Sequence, residues 1–251
     1  MKVIFHSKFT EVYAYDPAAE PGRMEAICGA LEGTYAFEEP IPATDADLKL
    51  CHTEGHIEYV KHNSPSAYAT GKLAVGGALR AAELAHDGEP AFGLIRPPGH
   101  HASPNSCWGF CYFNNMAISI KRLMKQGKIK KAVVLDIDLH YGDGTANIFS
   151  GSHDVSYFHP EGYNREGYME TLSRDLESVG DYDIIAISAG FDRHENDWGR
   201  MLKTQDYGRI GELVREHSLR NCGGRRYGLL EGGYNHEVLG DNVKALLEGL
   251  K

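Results

Sequence analysis

Apolar positions fall along this chain in two distinct periods. Between residues 68 and 86 alanines and leucines recur three and four apart, which predicts a buried helix. Phe113 to Lys125 carries the same period and ends in basic residues, as a helix dipole prefers. Helical patterns also cover about 205–220 and 236–250, resume at Met24, and hold in parts of Asp45 to His62. Compact β-branched or apolar runs alternate with them. These are the N-terminal Met1–Lys8 stretch, Ala91–Ile95, Lys131–Asp138, Tyr182–Ser188 and Arg226–Leu230. Prolines and a glycine interrupt regular structure across Tyr15–Arg23. Strands alternating with helices predict an α/β fold with a mostly parallel central sheet and helices on both faces. No linker, repeat or low-complexity segment divides the chain, so one domain over 1–251 is expected.

Composition narrows the function classes. With 42% hydrophobic and 24% charged residues the balance is that of an ordinary soluble domain. No apolar run reaches the ~18 residues that would span a bilayer, and the N-terminus lacks the features of a signal peptide. Five cysteines (28, 51, 107, 111 and 222) are an odd number without framework spacing, which favours reduced thiols and a cytoplasmic setting. A net charge of −9 argues against sequence-independent nucleic-acid binding, which needs a basic surface. Two histidine and cysteine spacings are set aside. His52-Thr-Glu-Gly-His56 places its glutamate one position late for a zinc-protease helix. Cys107 and Cys111 have no second pair and read as small buried residues.

The polar clusters sit just past the C-terminal ends of the expected strands, the edge at which open α/β sheets bind ligands. The most informative is Asp136-Ile-Asp-Leu-His140-Tyr-Gly-Asp143. In a continuous strand residues 136, 138 and 140 would share one side, and carboxylates beside an imidazole suit zinc or a similar cation. Ser188-Ala-Gly-Phe-Asp192 brings a further carboxylate to the same edge. Arg96-Pro-Pro-Gly-His100-His101 offers two imidazoles on a stiff turn, suited to acid–base work, with Asp136 and Asp143 available to fix their tautomers. Leu229-Leu-Glu-Gly-Gly-Tyr234 adds a phenol that could donate to an oxyanion.

Taken in order, these segments and Gly109-Phe-Cys-Tyr-Phe-Asn-Asn115 resemble the histone deacetylase, acetylpolyamine amidohydrolase and acetoin-utilisation protein superfamily. The resemblance implies an arginase-like open α/β sandwich and a metal-dependent amidohydrolase acting on an acyl-amine, either a small molecule or a peptide. It implies Asp138, His140 and Asp192 as ligands of zinc or ferrous iron. His101 would be the general base and acid, paired with Asp143, and His100 its companion, paired with Asp136. Tyr234 would polarise the carbonyl, and Gly109 and Phe110 would line the substrate pocket. A potassium ion would sit beside the zinc on Asp136 and on backbone carbonyls near Asp138, His140 and Phe158. The family's glycine-rich stretch after Ser156-Tyr-Phe-His159 is missing, so one pocket side is trimmed and Tyr163 or Tyr168 is expected to form the second aromatic wall. Two rival readings are a catalytically silent protein binding metal or acyl-amine, and an arginase-like ureohydrolase. The latter needs Asp-x-His-x-Asp arrangements, where this chain has Asp-x-Asp-x-His.

Overall fold

Burial on both faces marks the four strands at the centre of the sheet. In the computed structural model, which describes residues 1–251, these are β3 (Ala91–Gly93), β4 (Ala132–Asp136), β6 (Ile184–Ala189) and β7 (Arg226–Leu230), and every residue in them is buried. Such strands read as apolar runs because neither face meets water. Around them lie β1 (Lys2–Ile4), β2 (Ala36–Glu38) and β5 (Val155–Phe158), giving a seven-stranded sheet in the order β2-β1-β3-β7-β6-β4-β5. All neighbouring pairs are parallel. The edge strands β2 and β5 had no apolar signature in the sequence, because both are short and partly exposed.

Nine helices connect and cover the strands: α1 (Arg23–Leu31), α2 (Asp45–Leu48), α3 (Glu54–Asn63), α4 (Pro65–His86), α5 (Asn115–Lys125), α6 (Asp143–Ile148), α7 (Arg165–Ser178), α8 (Thr204–Cys222) and α9 (His236–Leu250). Helix α4, with α5 beside it, packs on β1, β3 and β7, whereas α8, flanked by α9, packs on β6 and β7. The chain leaves β3 through α5 to reach β4, beyond β7 and β6 in the sheet, and then returns. That reversal brings the C-terminal ends of β3, β7, β6 and β4 side by side, where a crevice opens in a doubly wound sheet. The register sets the level: Asp136 lies opposite Ser188, and Ser188 opposite Leu229.

The structure departs from the sequence pattern just after the fourth strand. Strand β4 ends at Asp136, and residues 138–140 form a bend rather than continuing the strand. The Asp138 amide donates to Asp136 Oδ1 at 3.1 Å, so the chain folds back on the last strand residue. Asp136, Asp138 and His140 therefore do not share one strand face.

The long connection from β3 to α5 is held by the buried His52 and His56. His52 Nδ1 lies 3.0 Å from the Ser103 carbonyl, and its Nε2 accepts the Asn114 amide at 2.9 Å. This pairing requires the neutral tautomer with its proton on Nδ1. His56 Nε2 lies 2.8 Å from the Tyr112 carbonyl. Burial, followed by repulsion from His56, lowers the His52 pKa from 6.5 to about 3. The unfolded chain thus takes up a proton that the folded chain refuses. The stability contribution is present above pH 6.5 and is lost as pH falls toward about 3. We expect the urea midpoint of the protein to fall with acidification across this window, by up to about 1.4 kcal/mol of stability per pH unit. His52→Gln should flatten that slope, and an unchanged slope in the variant would assign it to another group.

Candidate metal centre and pocket

Three ligand atoms converge at the crevice. Asp138, His140 and Asp192 place theirs within 4.8 Å of one another. His140 Nδ1 stands 3.2 Å from Asp138 Oδ1 and 3.0 Å from Asp192 Oδ2. Both carboxylates are buried, and backbone N–H groups anchor both oxygens of Asp138, Oδ1 by His140 at 2.9 Å, and one oxygen of Asp192. Gly232 N–H donates to Asp138 Oδ2 at 2.8 Å, and Leu139 N–H donates to Asp192 Oδ1 at 2.9 Å. The approach of the Gly232 backbone depends on glycine, since a Cβ there would fall 2.5 Å from Asp138 Oδ2. Asp192 Oδ2 is buried without a hydrogen-bond donor aligned to it.

Two adjacent buried carboxylates are costly without a cation. Burial and the Asp138 charge together push the Asp192 carboxyl up to about 7. A divalent ion at this point would satisfy the orphaned oxygen and remove the mutual repulsion. The donor set, two carboxylates and one imidazole with a cavity on the remaining side, suits a metal with an open coordination position. Of the acidic residues in the Asp136–Asp143 segment, only Asp138 belongs to this cluster.

Above the cluster lies a cavity of about 110 Å³, lined by His100, His101, Trp108, Gly109, Phe110, His140, Trp198 and Tyr234 among others. The two histidine rings lie against each other, tilted by 43° with centroids 4.0 Å apart. His100 Nδ1 lies 3.1 Å from Asp136 Oδ2, and His101 Nδ1 lies 2.7 Å from Asp143 Oδ1. Asp143 opens helix α6 and is gripped from the other side by Trp108, whose Nε1–H donates to its two oxygens at 3.1 and 2.9 Å. Burial, then the charge of neighbouring His100, lowers the His101 pKa to about 4 against the opposing pull of Asp143. Burial also disfavours the charged form of His100, but the carboxylates of Asp138 and Asp136 outweigh it and hold its pKa well above the usual value.

The Gly109–Phe110 turn has positive φ at both residues, 58° and 67°, which tips Phe110 toward the cavity mouth. Phe110 meets Tyr234 edge to face at 6.0 Å. Tyr234 precedes α9, and its backbone N–H and that of Asn235 both donate to Asp197 Oδ2 at 2.8 Å. Burial and the Asp138 and Asp192 charges raise the Tyr234 pKa, so the phenol keeps its proton and remains a donor.

Sequence reasoning missed part of this wall. Trp198 stacks on Tyr234 at 4.1 Å with planes 26° apart and closes the side facing Phe110. The positions expected to do this do not. Tyr163 is fully solvent-exposed and lines a different depression, and Tyr168 is buried beneath Arg193. The chain has two tryptophans, and both flank the cavity while staying half exposed. That pairing of rarity and position was the available signal.

Two of the groups expected to hold potassium are already engaged within the protein. Both Asp136 oxygens are engaged, Oδ1 by the Asp138 amide and Oδ2 by His100 and by the Tyr157 hydroxyl at 2.9 Å. The Asp138 carbonyl accepts from Arg193 Nε–H at 3.0 Å and lies 2.9 Å from His159 Nε2.

Comparison with known proteins places this geometry. A histone deacetylase domain family model matches residues 18–166 and 158–250. The two stretches overlap at 158–166. A probable deacetylase of Methanothermobacter thermautotrophicus is 30% identical over 304 aligned positions, covering 99% of this chain and 90% of the relative. One from Archaeoglobus fulgidus is 31% identical over 295 positions, covering 94% and 81%. A histone deacetylase-like amidohydrolase of Pseudomonas aeruginosa is 28% identical over 261 positions, covering 83% and 69%. The crystal structure of the HDA15 HD domain superposes with a TM-score of 0.82 at 23% identity, covering 99% of this chain and 88% of that one, which establishes the arginase-like α/β fold. With that fold, and with the family pattern running almost from end to end, this chain belongs to the histone deacetylase domain family.

Proposed function

We propose that this protein is a metal-dependent amidohydrolase that removes an acyl group from an amine, with zinc or ferrous iron held by Asp138, His140 and Asp192. The observation that carries the reading is the orphaned, buried Asp192 Oδ2, set within 4.8 Å of two further ligand atoms at the floor of a cavity lined by His101 and Tyr234. A metal ion there supplies Lewis acidity toward the amide carbonyl and acidifies water.

The chain's own groups handle the protons. With Nδ1 committed to Asp143, His101 has Nε2 for the cavity, and its low pKa keeps it neutral and ready to accept a proton from the attacking water. The same nitrogen then protonates the departing amine, so the products are a carboxylate and a free amine. The Tyr234 phenol donates a hydrogen bond to the carbonyl oxygen as negative charge develops there. His100, paired with Asp136, orients the water and adds positive character nearby. Phe110, Trp198 and Tyr234 leave a narrow slot for an unbranched acyl-amine stem.

Amine release from matched acetyl-lysine peptide and acetylpolyamine substrates, with a chelated control, tests the reading. Chelator-sensitive turnover is expected, and its ranking between the two names the substrate class. Absence of turnover with metal bound would favour a binding role. Tyr234→Phe should lower turnover ~10²-fold or more with the metal retained, and near-normal turnover would remove the phenol from the reaction. Asp192→Ala should lose the metal, and a variant that still holds one ion would show that the ligand set is different.

A further inference from the structure

Arg193 follows Asp192 directly and is buried, yet none of its hydrogen bonds goes to a carboxylate. Its Nε–H donates to the Asp138 carbonyl at 3.0 Å, and a terminal nitrogen donates to the Leu139 carbonyl at 3.3 Å. The same nitrogen lies 3.1 Å from His159 Nε2. Beneath the guanidinium lies the Tyr168 ring, its centre 4.9 Å from the guanidinium carbon. Carbonyl oxygens on one side and an aromatic face on the other make the surroundings of a solvated cation. A buried positive charge is costly unless it is needed nearby, and here the Asp138 and Asp192 carboxylates lie on the same two loops.

We infer that the Arg193 guanidinium is the resident cation beside the metal centre, taking up the Asp138 carbonyl on which the expected potassium ion would rest and making the site independent of monovalent ions. The inference rests on Asp138, His140 and Asp192 being the metal ligands. Arg193 acts as a positioning residue and touches no reacting atom. It clasps the backbone of 138–139 from the β6 side, while Leu139 N–H holds Asp192 Oδ1 from the β4 side. The two ligand-bearing loops are thereby cross-tied in both directions. A guanidinium offers fixed, directional donors where a potassium ion offers only charge. Being covalently attached, it also cannot dissociate. Tyr168, in the first turn of α7, completes the seat.

The test measures zinc affinity by chelator competition and the thermal midpoint, each in potassium, sodium and choline chloride at equal ionic strength. For the native protein both quantities should be the same in all three salts. A potassium-specific rise in either would overturn the inference. Arg193→Met, which keeps much of the volume without the charge, should lose ~10- to 100-fold in zinc affinity in choline chloride. Arg193→Ala should lose as much and recover on adding potassium or guanidinium ions. A loss that neither ion restores would reduce Arg193 to packing, and undiminished affinity in both variants would remove its role. The thermal midpoint of the native protein reads monovalent-ion binding even if no amide is hydrolysed or a variant fails to fold. Failure here is thus distinguishable from failure of the assigned chemistry.

Discussion

Burying the carboxylates of Asp138 and Asp192 against each other is the constraint on which this structure turns. Each must lose water, and each raises the cost of the other's charge. The fold meets that cost with fixed dipoles and cations drawn from separate strands. Backbone N–H groups of Leu139 and Gly232 anchor one oxygen of each carboxylate, and the Arg193 guanidinium binds the carbonyl behind Asp138. What remains unsatisfied, Asp192 Oδ2 beside His140, defines where a metal ion would bind. The centre is thus the gap left by an otherwise nearly complete electrostatic compensation.

The same balance extends outward. Each histidine of the His100–His101 pair is held by its own carboxylate, and the two environments push their pKa values in opposite directions. One imidazole is favoured as a cation and its neighbour in the neutral form, a difference set by burial, nearby charge and hydrogen bonding. Trp108 adds a second grip on Asp143 and packs against His101, tilted by 33° with ring centroids 3.9 Å apart. Asp197 fixes the backbone that carries Tyr234. The two histidines and the backbone of Tyr234 are therefore each held by a hydrogen bond to a carboxylate, which favours a preformed site.

Much of this was legible in the linear sequence, for identifiable reasons. Strands β3, β4, β6 and β7 announce themselves because both their faces are buried, so their composition is largely apolar. Helices α4, α5, α8 and α9 carry a clear 3.6-residue period. Polar residues that follow an apolar strand stand out against it, which is why His100, His101, Asp138, His140, Asp192 and Tyr234 could be singled out by position. Strands β2 and β5 could not, since a short edge strand needs no apolar pattern to pair.

The sequence by itself determined the fold class, the strands whose ends carry chemistry and the residues found there, because these follow from burial and local order. Only the tertiary structure decided how those residues are shared. Asp136 turns to His100 and Tyr157 while Asp138 turns to His140 and Asp192, because the chain bends after β4 instead of continuing the strand. Trp198 forms the wall assigned to Tyr163 or Tyr168, because the β6–α8 connection reaches across the cavity. Arg193 takes up the Asp138 carbonyl that was expected to bind potassium, because that connection also brings its guanidinium beside Asp138. Alternation along one strand cannot reveal such exchanges, which depend on contacts between segments tens of residues apart.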